Sequence, residues 1–283
     1  MKGGGGMESK YIKCTPDAVR LPKRPRDSHK SHYGKLLILG GTVGYTGAVS
    51  LCARAAVRSG AGLVYVGVPE EIYPIIAVKL DEPMPFPLQR PLCYDAVEEK
   101  LRSCTVCVIG PGMGRSDDTI AFVQAVLENS QIPTVVDADG LFAVKDRLDL
   151  LCGKIITPHA GEFARLGGNV TGTPAADAKA FADAHDCTVV LKGHETVVAF
   201  PGGDAYLCPV GNPGMATGGS GDVLAGIIGG LLGQLPHEQA VLYGVLLHGA
   251  AGDLCAEALG EYSMTPSDII EALPKVMRGK TER

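Results

Sequence analysis

The chain has 283 residues, of which 46% are hydrophobic and 20% charged. That composition supports a large buried core and excludes intrinsic disorder. The formal net charge of −5 leaves no basic footprint for a polynucleotide, and the richest apolar stretch, 223–235, is too short and glycine-punctuated to span a membrane. The opening MKGGGGMESK lacks the apolar centre of a secretory signal, and the basic segment 20–35 lacks the periodicity of a transit helix, so the expected location is the cytoplasm. Residues 1–30 are expected to form a loosely held arm before a single domain over 31–283. The nine cysteines are odd in number and sit mostly inside apolar runs, which reads as reduced core thiols. Cys104 and Cys107 have CxxC spacing, but they lie across one predicted strand with no second pair, so no zinc or redox site is expected.

In chain order, β-rich runs alternate with helical segments. KLLILGG from Lys35 predicts a strand, 45–59 a helix, GLVYVGVP from Gly62 a strand, TVCVIGPG from Thr105 a strand, 116–129 a helix and PTVVDADG from Pro133 a strand. The proline-rich stretch DEPMPFPLQRPL, 81–92, breaks this rhythm and predicts a surface loop. Further on come KIITPHAGE from Lys154, a helix over 175–185, and the runs CTVVLKG, VVAF and AYLCP. The last two are separated by Gly202 and Gly203 and predict a hairpin at a sheet edge. Helices are expected over 222–233, 237–259 and 266–277. The strands read as continuous apolar runs, as parallel strands buried on both faces do. The predicted fold is α/β, a three-layer αβα sandwich around a mainly parallel central sheet.

The strongest chemical signal is GNPGMATGGSGDVLAGIIGG, 211–230, where a glycine-rich turn runs into an apolar helix. Free N–H groups at a helix start, with the macrodipole behind them, attract anions. Gly218, Gly219, Ser220 and Gly221 are therefore expected to form an anion hole for phosphate. A carboxylate beside such a site would be repelled by its ligand, so Asp222 is expected to act as a general base in phosphoryl transfer; the alternative is an N-cap. Turns at GGTVGYTGA from Gly40, GPGMG from Gly110 and TPHAGE from Thr157 all follow strands, and in an open parallel sheet ligands bind at the carboxyl ends of strands. His159 would touch a ligand there or cap the next helix. Lys192, ending a strand beside a glycine, would meet a nucleotide phosphate or stand in solvent. No GxxxxGK[ST] loop and no GxGxxG opening a βαβ unit is present, which argues against a P-loop NTPase and a dinucleotide-binding dehydrogenase.

Taken together, NPGMATGGSGDVLAG, HYGKLLILGGTVGYTGA, VIGPGMG, VVDADGL, TPHAGEFARL and VLKGHET resemble the nucleotide-dependent NAD(P)H-hydrate dehydratases of the ribokinase-like superfamily, from about His29 to the C-terminal helices. Ala160, where the family commonly has proline, and Gly140 and Phe142 depart from the usual pattern without removing a catalytic group. The resemblance implies a repair enzyme that dehydrates hydrated NADH and NADPH using ADP or ATP. Its single-domain form favours ADP, converted to AMP and phosphate. It implies Asp222 as the base, with Ala48, Gly112, His159 and Asp222 on the hydrated dinucleotide and Lys192, Gly193, His194, Glu195, Thr196 and Gly221 on the adenine nucleotide. It also implies Mg²⁺ on the phosphates with no assigned protein ligand, and a separate epimerase; a homo-oligomer is expected, though the apolar helices after Leu235 fit core packing equally well. The rivals are a ribokinase-like vitamin-precursor kinase, such as a hydroxyethylthiazole kinase, and a non-catalytic nucleotide sensor. The dehydratase-like NPGMATGGSGD and TPHAGE weigh against the first, and the intact Asp222 against the second.

Overall fold

In the computed structural model, which describes residues 11–281, the apolar runs become the strands of one ten-stranded sheet. Along the chain, β1 (Ile12–Lys13) is followed by β2 (Lys35–Leu39), α1 (Thr46–Arg58), β3 (Leu63–Pro69), α2 (Tyr73–Lys79), β4 (Met84–Leu88), α3 (Asp95–Ser103), β5 (Val106–Ile109) and α4 (Asp117–Asn129). The middle of the chain supplies β6 (Thr134–Val136), α5 (Asp139–Ala143), β7 (Ile155–Ile156), α6 (Ala160–Arg165), α7 (Pro174–His185) and β8 (Thr188–Leu191). A β9 (Thr196–Ala199) and β10 (Ala205–Cys208) hairpin leads into α8 (Ser220–Leu232), α9 (His237–Leu259) and α10 (Pro266–Arg278).

The strand order is β1-β10-β9-β8-β7-β6-β5-β2-β3-β4, and every neighbouring pair is parallel except the two made by β9. From β2 the chain builds outward through β3 to β4, then returns to place β5 on the other side of β2. The connections after β2 and β5 therefore leave in opposite directions and open a crevice at the carboxyl ends of those strands. Strand residues alternate between two cores. Leu36, Ile38, Val106 and Val108 face α1, α8, α9 and α10, while Leu37, Leu39, Cys107 and Ile109 face α3, α4 and α7. This is the three-layer sandwich expected from the sequence. Helices α1 and α8 approach closely because α8 carries glycine where they cross: a Cβ on Gly226 would lie 2.1 Å from the Cys52 carbonyl oxygen.

Two expectations are corrected. The proline-rich stretch is not all loop, because Met84–Leu88 pairs in parallel with β3 as the outermost strand. An edge strand offers only alternate N–H groups to its single neighbour, and Pro85 and Pro87 occupy alternate positions, so neither removes a needed donor. Nor is the arm loosely held where it is described. Ile12–Lys13 pairs with β10, making β1 rather than the hairpin the outermost strand on that side. Val19 is fully buried, and Leu21 forms a bridge to Thr281. Residues 1–10 of the expected arm lie outside the described residues. All nine cysteines are free thiols, and six are buried, including Cys104 and Cys107. Among the described residues no helix is long and apolar enough to cross a membrane.

Candidate active site

The two glycine turns at the switch point are built against each other. Gly41 N donates to the Pro111 carbonyl at 2.8 Å, and a Cβ on Gly112 would lie 2.9 Å from Ala48 Cβ and 3.0 Å from Tyr45 Cβ. Ala48 and Gly112, expected in one pocket, are thus neighbours. Gly110 sits at φ +121°, and a Cβ there would be 1.9 Å from the Asp137 carbonyl oxygen, so only glycine lets this turn meet the one after β6.

That next turn, Asp137-Ala138-Asp139, carries the charge of the site. Ala138 adopts φ 46° and ψ −115°, a conformation rarely taken by residues with a side chain. The kink splits the two carboxylates. Asp139 turns outward, accepting from Gly114 N at 2.9 Å and Arg115 Nε at 2.8 Å, and so ties down the GPGMG turn. Asp137 is buried and accepts from Thr157 Oγ1 at 2.7 Å and Lys192 Nζ at 3.1 Å. Lys192 is therefore not a solvated strand-end lysine. Burial opposes its charge, but Asp137 and Glu162, whose Oε2 lies 3.8 Å away, outweigh that and hold the ammonium above its ordinary range.

His159 and Lys192 stand side by side where the ends of β7 and β8 form an isolated bridge, with Lys192 N donating to the Pro158 carbonyl at 2.8 Å. Of the two roles considered for His159, the structure shows the cap. Its Nδ1 accepts from Gly161 N at 3.0 Å and Glu162 N at 3.4 Å, capping α6, while Glu162 Oε2 accepts from His159 N at 2.9 Å in a reciprocal box. The ring's Nε2 lies 3.6 Å from Glu162 Oε1.

Opposite stands the start of α8. Its N-cap is Gly219, at φ +105°, not Asp222, and no side chain caps the helix. A Cβ on Gly219 would lie 2.6 Å from Leu51 Cδ1, so glycine is required there by backbone and packing alike. Among the described residues the amides of Gly218, Gly219 and Gly221 meet no acceptor, whereas Ser220 N already donates to the Thr217 carbonyl at 3.3 Å. The four-residue hole thus keeps three free amides, and the Ser220 amide is removed from it. Asp222 is half-buried in the first turn. Burial and the charges of Asp137, Asp139 and Glu162 outweigh the attraction of Lys192 and push its carboxyl from 3.8 to about 7. A carboxylate poised near neutrality is suited to accept a proton from a hydroxyl.

Beside this helix start lies a cavity of about 650 Å³ whose walls include Lys192, Gly193, His194, Thr196, Gly221 and His159. Its far wall is the loop before α8, fixed by Asp253, which accepts from Gly211 N and Asn212 Nδ2 at 3.0 Å each. Glu195 is exposed and does not line it. Among the described residues, no three carboxylate, histidine or cysteine groups converge as a metal cage.

A family model described as NAD(P)H-hydrate dehydratase matches residues 36–275. The chain belongs to the NAD(P)H-hydrate dehydratase family. It is 42% identical over 279 residues to a bifunctional NAD(P)H-hydrate repair enzyme of Moorella thermoacetica, covering 93% of this chain but 53% of that protein. An ADP-dependent (S)-NAD(P)H-hydrate dehydratase of Bacillus subtilis is 35% identical over 278 residues, covering 93% of this chain and 97% of the relative. The solved ADP/ATP-dependent NAD(P)H-hydrate dehydratase from Bacillus subtilis, co-crystallized with ATP/Mg²⁺, superposes with a TM-score of 0.80 at 31% identity, covering 97% of this chain and all of that one. The chain spans about half the length of the first curated relatives it matches. The ribokinase-like architecture expected from the sequence is the one the chain adopts.

Within this dehydratase-family fold, most of the residues singled out from sequence fall into two groups. His159, Lys192, Gly193, His194, Thr196, Ser220 and Gly221 share the cavity, while Ala48 and Gly112 meet at the switch-point turns. Sequence reasoning missed Asp137, Asp139 and Glu162 as the charges that set Asp222 and Lys192. The signal was a DAD turn straight after a buried strand. It also missed His248, the lone imidazole in the apolar run VLLHGAAG. That ring lies on α9, lines the cavity, sits 3.3 Å from Ser220 Oγ, and is pushed by burial to about 4, so it stays neutral.

Proposed function

We propose that the chain dehydrates hydrated NADH and NADPH, consuming ADP in preference to ATP and releasing AMP and phosphate, as a metabolite-repair enzyme. The observation that carries this is Asp222: a carboxyl held near neutrality at a glycine-rich helix start, beside Lys192 and a nucleotide-sized cavity. Asp222 takes the proton of the ring hydroxyl as its oxygen attacks the β-phosphorus of ADP, and AMP departs. Hydroxide is a poor leaving group, but the phosphate ester is a good one. The ring-nitrogen lone pair expels it with the C–O electron pair, and loss of a proton from the neighbouring ring carbon closes the double bond of the dihydronicotinamide.

Lys192 and the amides of Gly218, Gly219 and Gly221 receive the nucleotide phosphates, with Gly193, His194 and Thr196 along the nucleotide and Glu195 on the outer side of the same turn. Ala48, Gly112 and His159 face the hydrated dinucleotide. Mg²⁺ would neutralise phosphate charge. The lack of a converging protein cage among the described residues suits an ion carried by the phosphates with at most one or two carboxylates, of which Glu162 and Asp139 flank the site. The same reading puts 31–283 in a single domain, in a cytoplasmic homo-oligomer that works alongside an NAD(P)H-hydrate epimerase activity. The name of the Bacillus subtilis relative supports ADP as donor. Chromatography of the nucleotide pool tests the coupling. AMP and phosphate should form from ADP only when hydrated NADH is present and not with Asp222→Asn; steady AMP formation without the hydrate would overturn the reading.

A further inference from the structure

At the opposite end of the sheet from the crevice, α1, α8 and α10 finish side by side, and the segment 21–25 crosses their ends to enclose a cavity of about 550 Å³. Its floor is apolar, formed by Leu21, Leu231, Leu235 and Met277, and its rim carries Lys23, Arg24, Arg58 and Arg278, with no carboxylate lining it among the described residues. This is a local cationic basin on a chain of net charge −5. Helix C-termini attract basic side chains, which accounts for Arg58 and Arg278. It does not account for Lys23 and Arg24, which belong to no helix, nor for an apolar floor beneath them.

The polar frame is built rather than incidental. The Arg24 guanidinium lies 3.8 Å over the Tyr33 ring and donates through Nη2 to the Gly60 carbonyl and to Gln234 Oε1, each at 2.6 Å. Gln234 is itself fixed, its Nε2 donating to the Ser59 carbonyl at 3.1 Å and the Gly230 carbonyl at 2.8 Å. A Cβ on Gly60 would lie 2.4 Å from Arg24 Nη2, so glycine makes the arginine's seat possible. Arg58 is neutralised by Glu271 at 3.0 Å. Among the described residues Lys23, Arg24 and Arg278 have no carboxylate partner, and all three line this one cavity.

We propose that this cavity is a second ligand site, separate from the crevice, for a small organic phosphate with a flat apolar body. The phosphoryl group would sit among Lys23, Arg24 and Arg278, which supply planar and point-charge donors suited to its oxygens. The ring would lie on Leu231, Leu235 and the Tyr33 wall. Leu231 and Asp222 lie on the same helix, nine residues or roughly 14 Å apart along its axis, so the two sites do not overlap.

Calorimetric titration of the full chain with naphthyl phosphate, inorganic phosphate and naphthol tests this. The expected result is one naphthyl phosphate per chain, bound at least about tenfold more tightly than either fragment. The affinity should fall at least about tenfold in the double variant Lys23→Ala/Arg278→Ala and stay unchanged in Lys192→Met. Both rim residues are exposed, so the double variant keeps its core. The proposal is overturned if naphthyl phosphate does not bind, if naphthol binds as tightly, or if binding follows Lys192 rather than the rim. It is equally overturned if the double variant changes oligomeric state and the cavity proves to be covered by a second copy of the chain.

Discussion

Asp222→Asn should make the protein more stable at alkaline pH while it removes the proposed base. The folded-state pKa of Asp222 is raised from 3.8 to about 7, so the folded chain holds a proton on this group that the unfolded chain has released. The stability contributed by that proton is fully present below about pH 4 and is lost as pH rises through 7. A shift of roughly three units corresponds to about 4 kcal/mol at most. Losing a first-turn carboxylate from the positive end of α8 costs the variant about 0.3–1 kcal/mol, which leaves a net gain of about 3 kcal/mol above pH 8. For a chain of this size that is a rise in Tm of roughly 6–12 °C. Thermal melts of both proteins should run close together near pH 4 and diverge progressively to pH 8, the variant melting higher. A variant that melts lower at every pH, as expected if Asp222 served the helix as a cap worth about 1 kcal/mol, would refute the reasoning.

The same group sets the pH dependence of turnover: activity should fall as pH drops below about 7, and a rate independent of pH between 5 and 8 would remove Asp222 from the base role. Lys192→Met deletes the cation that favours ionised Asp222, so the acid limb of kcat/KM should move to higher pH. Loss of the charged contact proposed between Lys192 and the nucleotide, about 1.5–3 kcal/mol, should also raise the nucleotide KM roughly 10- to 100-fold. Steady-state kinetics at several pH values read both effects. Gly226→Ala forces a methyl group toward the Cys52 carbonyl and should cost about 1–3 kcal/mol, a fall in Tm of roughly 2–12 °C with little change in nucleotide KM.

Much of the layer architecture and the helix start at α8 was legible because each rests on local pattern. Continuous apolar runs marked the parallel strands, and glycine placed after them marked the turns at Gly40 and Gly110. What was not legible came from contacts distant in sequence. Lys192 could not be separated from a solvated lysine because its partner, Asp137, lies 55 residues away. The N-cap reading of Asp222 failed because it turned on whether the helix began at Ser220 or at Val223, three residues later. β4 was hidden by its prolines, which an edge strand tolerates and a central one does not. Short helices such as α5 and α6 have too few residues to show a period. The basic cavity draws on five separated stretches of chain and left no motif at all.

The central claim is that this site regenerates NADH from its hydrate at the expense of a nucleotide. The most direct measurement follows the near-ultraviolet absorbance of the dihydronicotinamide as purified protein is mixed with hydrated NADH, magnesium and either ADP or ATP, beside Asp222→Asn. The account predicts nucleotide-dependent recovery of absorbance, faster with ADP and absent in the variant; no recovery with either nucleotide, or equal recovery by Asp222→Asn, would contradict it.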